Sequence, residues 1–147
     1  MKRYTKNQIK ELTKILKNDG VISVPTDTVF GICGSIKSKK AQEKLKSIKE
    51  RPASKPFPIM CADIDQIKSI TMIDNKSEKI IRELMPGPIT IVLRKNSQLP
   101  EYINSGKETI AIRMATSNEL KELIKILGCP VFMTSANKSG EEVCKTL

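Results

Sequence analysis

The sequence predicts an α/β fold, a single domain in which a twisted, mixed β-sheet is flanked by helices. Segments with apolar residues at helical spacing intermingle with short β-branched runs. Their order departs from strict βαβ alternation, and no repeat, linker or low-complexity tract divides residues 1–147. At 147 residues, 39% hydrophobic and 29% charged, the chain has the make-up of one soluble globular domain.

Residues 7–17 place Ile9, Leu12, Ile15 and Leu16 on one helical face, and Asn18-Asp19-Gly20 supplies the stop. Residues 21–24 are a β-branched strand running into Pro25-Thr26-Asp27-Thr28-Val29-Phe30-Gly31-Ile32-Cys33-Gly34. That stretch reads as a connection. Its threonine hydroxyls stand at the carboxyl end of a strand, where open α/β sheets bind ligands, and its glycines permit close backbone approach. By itself, Pro-Thr-Asp-Thr equally fits a turn closed by an Asx-type hydrogen bond.

Residues 38–48 form an amphipathic helix with Ala41, Leu45 and Ile48 inward and lysines outward. A strand over residues 57–61 follows, then a short helix opened by Asp63 that carries Ile64, Ile67 and Ile70. Residues 77–85 form a helix with Ile80, Ile81 and Leu84 inward, broken by Pro86-Gly87-Pro88 before a strand of buried type over residues 89–93. Residues 109–114 alternate as a strand ending at Arg113 and Met114. Thr116 or Ser117 caps a helix that buries Leu120, Leu123, Ile124 and Leu127 and stops at Gly128. The last strand, residues 130–134, empties into Ser135-Ala136-Asn137-Lys138-Ser139-Gly140, a donor-rich loop that either caps a helix or builds an anion-binding nest.

Composition narrows the chemistry. Cys33, Cys61, Cys129 and Cys144 are irregularly spaced and no histidine is present, so the four cysteines read as reduced, mostly core thiols and no transition-metal site is expected. Without histidine, the usual general base is missing too. No apolar run approaches the roughly 20 residues of a membrane span and the N-terminus is polar, which predicts a cytoplasmic protein with no membrane partner. A net charge of +10 attracts phosphate-rich partners. The scarcity of aromatics, with no tryptophan, argues against a stacking platform for single-stranded RNA.

The densest chemistry lies in residues 47–60, where Lys49, Arg51 and Lys55 stand close together while Pro52, Pro56 and Pro58 forbid helix. The outcome is a stiff cationic loop between a helix and a strand. Such a loop suits a polyanion like a nucleoside triphosphate, since arginine grips two phosphate oxygens and lysine adds a point charge. A solvated basic turn is the plainer alternative.

Taken together, Pro25-Thr26-Asp27-Thr28-Val29-Phe30-Gly31, Lys49-Glu50-Arg51-Pro52 with Lys55-Pro56, Pro86-Gly87-Pro88-Ile89-Thr90, Ala111-Ile112-Arg113 and Thr134-Ser135-Ala136-Asn137-Lys138-Ser139-Gly140 resemble the threonylcarbamoyl-AMP synthase family, YrdC/Sua5/TsaC. The blocks run in family order over nearly the whole chain. The resemblance implies a YrdC-like domain over residues 1–147 and a short, C-terminally minimal member, with Met60 where many members carry histidine. It also implies a nucleotidyltransferase that makes threonylcarbamoyl-adenylate and pyrophosphate from L-threonine, bicarbonate or CO2, and ATP with Mg2+. A partner transferase then uses the product to modify adenosine 37 of tRNA. By the same resemblance Lys49 and Arg51 are catalytic, and Arg51, Lys55, Thr109, Ser135 and Asn137 bind ATP. Thr28, Arg113 and the backbone at Met133 hold threonine.

The chemistry agrees. A carbamate is already an anionic oxygen nucleophile, so the barrier to its attack on the α-phosphorus is mainly anionic repulsion, which fixed cations relieve without histidine. The alternatives are a non-catalytic binder of tRNA or double-stranded RNA and the related domain of the carbamoyltransferase that matures nickel-iron hydrogenases.

Overall fold

The computed structural model describes residues 3–137 and Glu142. Along the chain come α1 (Ile9–Lys17), β1 (Val21–Pro25), β2 (Phe30–Ser35), α2 (Lys39–Lys49), β3 (Ile59–Cys61), α3 (Ile64–Ile70), β4 (Thr71–Met72), α4 (Asn75–Leu84), β5 (Ile91–Lys95), β6 (Thr109–Met114), α5 (Asn118–Leu127) and β7 (Val131–Ser135). Short 3-10 turns at Lys6–Gln8 and Glu101–Asn104 precede α1 and β6.

The seven strands make one sheet in the order β1-β2-β7-β3-β6-β5-β4. Only β3 and β6 pair in parallel among the described residues; the other neighbours are antiparallel, giving the mixed sheet that the sequence predicts. α1 packs on α5 and against β1 and β2, and α2 lies on β2. The core runs through Leu16, Leu45, Ile59, Ile112, Ile124 and Phe132, all fully buried.

Local chemistry sets the helix ends. The Oγ of Ser38 accepts from the Ala41 amide, Asp63 from Gln66, Asp74 from Ser77 and Ser117 from Leu120, each satisfying an orphan first-turn donor. Gly128 takes the left-handed conformation (φ 83) that ends α5.

Four expectations need correction. Residues 30–35 are a strand, β2, paired to β1 as a hairpin; its two glycines disguised it, yet Gly34 is required because a Cβ there would stand 2.9 Å from Ala41 Cβ of α2. In α2 the buried stripe is Ala41, Leu45 and then Lys49, while Ile48 is 44% exposed. In α4 only Ile81 is buried, continued by Met85, and Ile80 and Leu84 face solvent on the neighbouring ridge. β5 is half-buried on one face and exposed on the other, with Val92 64% exposed.

Cys33, Cys61 and Cys129 are free and buried. Burial pushes the Cys33 thiol up to about 12, and burial together with the nearby Asp63 charge raises Cys61 further, so both stay protonated and inert at neutral pH. Cys144 lies outside the described residues.

Candidate active site

The site begins where α2 stops. Glu50 adopts a left-handed conformation (φ 52), and the Arg51 amide closes back on the Lys46 carbonyl at 3.0 Å. This turn leaves Lys49 pointing inward, 3% exposed. Its ammonium donates to the Ser135 carbonyl at 2.8 Å, to Asn137 Oδ1 at 2.9 Å and to Ser135 Oγ at 3.4 Å. Ser135 Oγ in turn donates to Asn137 Oδ1. A desolvated ammonium is tolerable only with such oxygens around it. Lys49 thereby ties the end of α2 to the end of β7, and half of the predicted nucleotide signature is joined to the other half by direct hydrogen bonds.

Arg51 organises the proline-rich loop around itself. Its Nε donates to the Lys55 carbonyl at 3.1 Å and its Nη2 to the Pro56 carbonyl at 2.9 Å, while the guanidinium sits 5.0 Å from the centre of the Phe57 ring. The Lys55 amide turns back onto Pro52 at 3.0 Å, and the Lys55 side chain is exposed. A cationic loop held by its own arginine is stiff before any ligand arrives.

Strand register places the remaining candidates. Ile59 pairs with both Ile112 of β6 and Phe132 of β7, so Thr109 and Ser135 fall at the same end of the sheet, beside the Pro56 approach to β3. Met60 pairs with Arg113 and with Val131, so Thr109, Arg113, Met133 and Ser135 share one face by alternation. The Met133 amide donates to the Pro58 carbonyl at 2.9 Å. Lys138, Ser139 and Gly140 lie outside the described residues.

The β1–β2 hairpin closes over this face. Thr26, and not Asp27, builds the turn: its Oγ1 accepts from the Val29 amide at 3.2 Å and donates to the Val29 carbonyl, correcting the Asx-turn alternative. Thr28 is exposed, its hydroxyl 3.5 Å from that of Thr26. Freed from the turn, Asp27 reaches Arg113, with Nη2 donating to Oδ1 at 3.2 Å and to Oδ2 at 3.3 Å. Asp27 is the site residue that sequence reasoning missed. Nothing local marks it, since its partner is 86 residues away.

The hairpin approaches closely because residue 31 is glycine. A Cβ at Gly31 would stand 2.6 Å from Met133 Sδ, 3.2 Å from Thr26 Cγ2 and 3.3 Å from the Thr134 carbonyl. Gly31→Ala is therefore expected to lower stability by about 1–3 kcal/mol through overpacking. Thermal denaturation checks this; a melting temperature equal to that of the unaltered protein contradicts the close approach.

Among the described residues, no group of three or more acidic, cysteine or histidine side chains is placed to hold a metal ion. An open depression of about 540 Å³ lined by Lys68, Asp74, Ser77 and Arg94 contains none of the candidates.

Comparison with known proteins places these features in one family. The Sua5/YciO/YrdC family model, described as telomere recombination, matches residues 14–147. The threonylcarbamoyl-AMP synthase of Hydrogenovibrio crunogenus is 31% identical over 143 residues, covering 95% of this chain and 77% of that protein. The threonylcarbamoyl-AMP synthase of Buchnera aphidicola is 35% identical over 135 residues, covering 90% and 77%. The crystal structure of P. abyssi Sua5 complexed with L-threonine superposes with a TM-score of 0.87 at 28% identity, over 97% of this chain and 42% of that one. E. coli YciO superposes with a TM-score of 0.84 at 25% identity, over 98% and 70%. The chain thus spans about three quarters of these two synthases and less than half of the P. abyssi Sua5. With motif order, sheet topology and sequence identity in agreement, the chain belongs to the Sua5/YciO/YrdC family.

Proposed function

We propose that the protein is an L-threonylcarbamoyladenylate synthase, a nucleotidyltransferase acting on L-threonine, bicarbonate or CO2, and ATP. The observation that carries this reading is the joining of Lys49 to Ser135 and Asn137 on the sheet face that also presents Arg113. By strand spacing, Ser135 and Arg113 are on the order of 15 Å apart, room for a nucleotide at one end and an amino acid at the other.

In this reading Arg113 takes the threonine carboxylate, Thr28 its hydroxyl, and the backbone at Met133 borders the amino-acid end. Arg51 and Lys55 face the phosphates, with Thr109, Ser135 and Asn137 around the nucleotide and Lys49 holding the last two in place. Mg2+ enters on the triphosphate as part of the substrate. A carbamate oxygen attacks the α-phosphorus and the bond to the β-phosphate breaks, releasing pyrophosphate. Fixed cations stabilise the charge on the phosphoryl oxygens. The product, an activated acyl-adenylate, is suited to a transferase that acts on adenosine 37 of tRNA.

The test is pyrophosphate release from MgATP with L-threonine and bicarbonate. Release that vanishes when either threonine or bicarbonate is omitted is the expected result. The net charge of +10 favours one other reading, a non-catalytic binder of tRNA or double-stranded RNA. Steeply salt-dependent RNA binding indifferent to Ser135→Ala, with no pyrophosphate release, would select it.

A further inference from the structure

The Asp27–Arg113 ion pair is more than a hairpin latch. Both Asp27 oxygens crowd onto the single Nη2, at 3.2 and 3.3 Å, in place of the two-pronged match that arginine and carboxylate frequently form. The Nη1 prong carries no hydrogen bond among the described residues. The pair is also reachable, with Arg113 21% and Asp27 18% exposed at their side chains. An anion and a cation thus stand side by side on the face assigned above to the amino-acid substrate.

A free α-amino acid carries the same two charges on adjacent groups in the opposite sense. Laid antiparallel to the pair, its carboxylate meets Arg113 while its ammonium meets Asp27, and each charge faces its opposite. We propose that Asp27 binds the ammonium of the amino acid, so that Asp27 and Arg113 together select a zwitterion. The inference rests on the synthase reading and assigns this residue a role within it. It also gives the carbamoylation step a direction. When R–NH3+ and HCO3− become R–NH–COO−, water and a proton released to solvent, the nitrogen loses the charge that Asp27 holds and gains an anionic group that Asp27 repels. The new carboxylate is pushed away from Asp27, toward the cations at the nucleotide end.

Two ligands separate this role from a structural one: L-threonine, and the analogue in which a hydroxyl replaces the ammonium, 2,3-dihydroxybutanoate of the same configuration. Calorimetric titration of the full chain in the presence of MgATP reads both. Asp27→Asn, which retains a hydrogen-bond acceptor for Arg113, is expected to weaken L-threonine binding by about tenfold, the worth of one charge-assisted hydrogen bond, with the ATP affinity unchanged. The analogue is expected to bind Asp27→Asn at least as well as it binds the unaltered protein, since no anion then faces its hydroxyl. Asp27→Glu, which keeps the charge, is expected to recover most of the preference for threonine. Equal weakening of both ligands, or unchanged threonine affinity in Asp27→Asn, overturns the proposal and leaves the synthase reading standing. Failure of the unaltered protein to bind threonine overturns the synthase reading itself.

Discussion

Arg51→Ala is expected to lower the rate of threonine-dependent pyrophosphate release by about 100- to 1000-fold, the loss typical of a preorganised donor aimed at developing charge. Two effects combine in this number. One is the loss of the cation that the synthase reading places beside the phosphates. The other is the loop, since Arg51 holds the Lys55 and Pro56 carbonyls and covers the Phe57 ring, so its loss also loosens the segment that carries Lys55. Arg51→Lys separates them, because lysine keeps the charge without the fork that spans two carbonyls. Recovery of most of the rate by lysine would assign the effect to charge, and recovery of little would assign it to loop geometry. Single-turnover rates at saturating ATP are the measurement, and a full rate in Arg51→Ala would remove Arg51 from the catalytic assignment.

Lys49→Met is expected to cost both stability and activity. Methionine matches the stem of lysine but leaves the Ser135 carbonyl, Ser135 Oγ and Asn137 Oδ1 without their shared donor. The acceptors are half-buried and Asn137 Oδ1 keeps the Ser135 Oγ donor, so losing these bonds to a charged donor is expected to cost about 1–3 kcal/mol in total, still a sizeable share of the stability of a small domain. With the end of β7 no longer tied to α2, ATP affinity is expected to fall by at least about tenfold, for a loss near 1.4 kcal/mol. Lys49→Arg is not expected to rescue, since a planar guanidinium does not fit a seat for one ammonium between three oxygens. Thermal denaturation and nucleotide titration of the variants check both parts. A Lys49→Met protein with unchanged melting temperature and ATP affinity would show that this contact braces nothing.

Much of this arrangement was legible in the chain, and the failures have a common cause. Leu120, Leu123, Ile124 and Leu127 bury as their spacing predicts, and Ser38, Asp63 and Ser117 cap as their chemistry predicts, because both properties are set within a turn or two. Ile48 and Lys49 reversed roles because burial of a lysine depends on oxygens supplied 86 and 88 residues later, which no local pattern contains. β2 was hidden by Gly31 and Gly34, residues disfavoured in strands in general but required here by Met133 and Ala41. Asp27 looked like a turn former until the structure gave that task to Thr26. The candidate cations were visible from residue type alone, whereas their tether to β7 and the anion beside Arg113 were not.

The placement of β7 also governs how the protein comes into being. It is the last strand of the described chain, yet it lies between β2 and β3. Until β7 enters, the hairpin made first and the strands made in the middle have no shared edge, and both leave backbone donors and acceptors open to other chains. Closing that gap demands contacts between residues far apart in sequence, the kind that slow folding. The same insertion delivers Ser135 and Asn137 to Lys49, so the sheet and the proposed nucleotide end of the site are completed in one event, and a chain stalled short of β7 has neither.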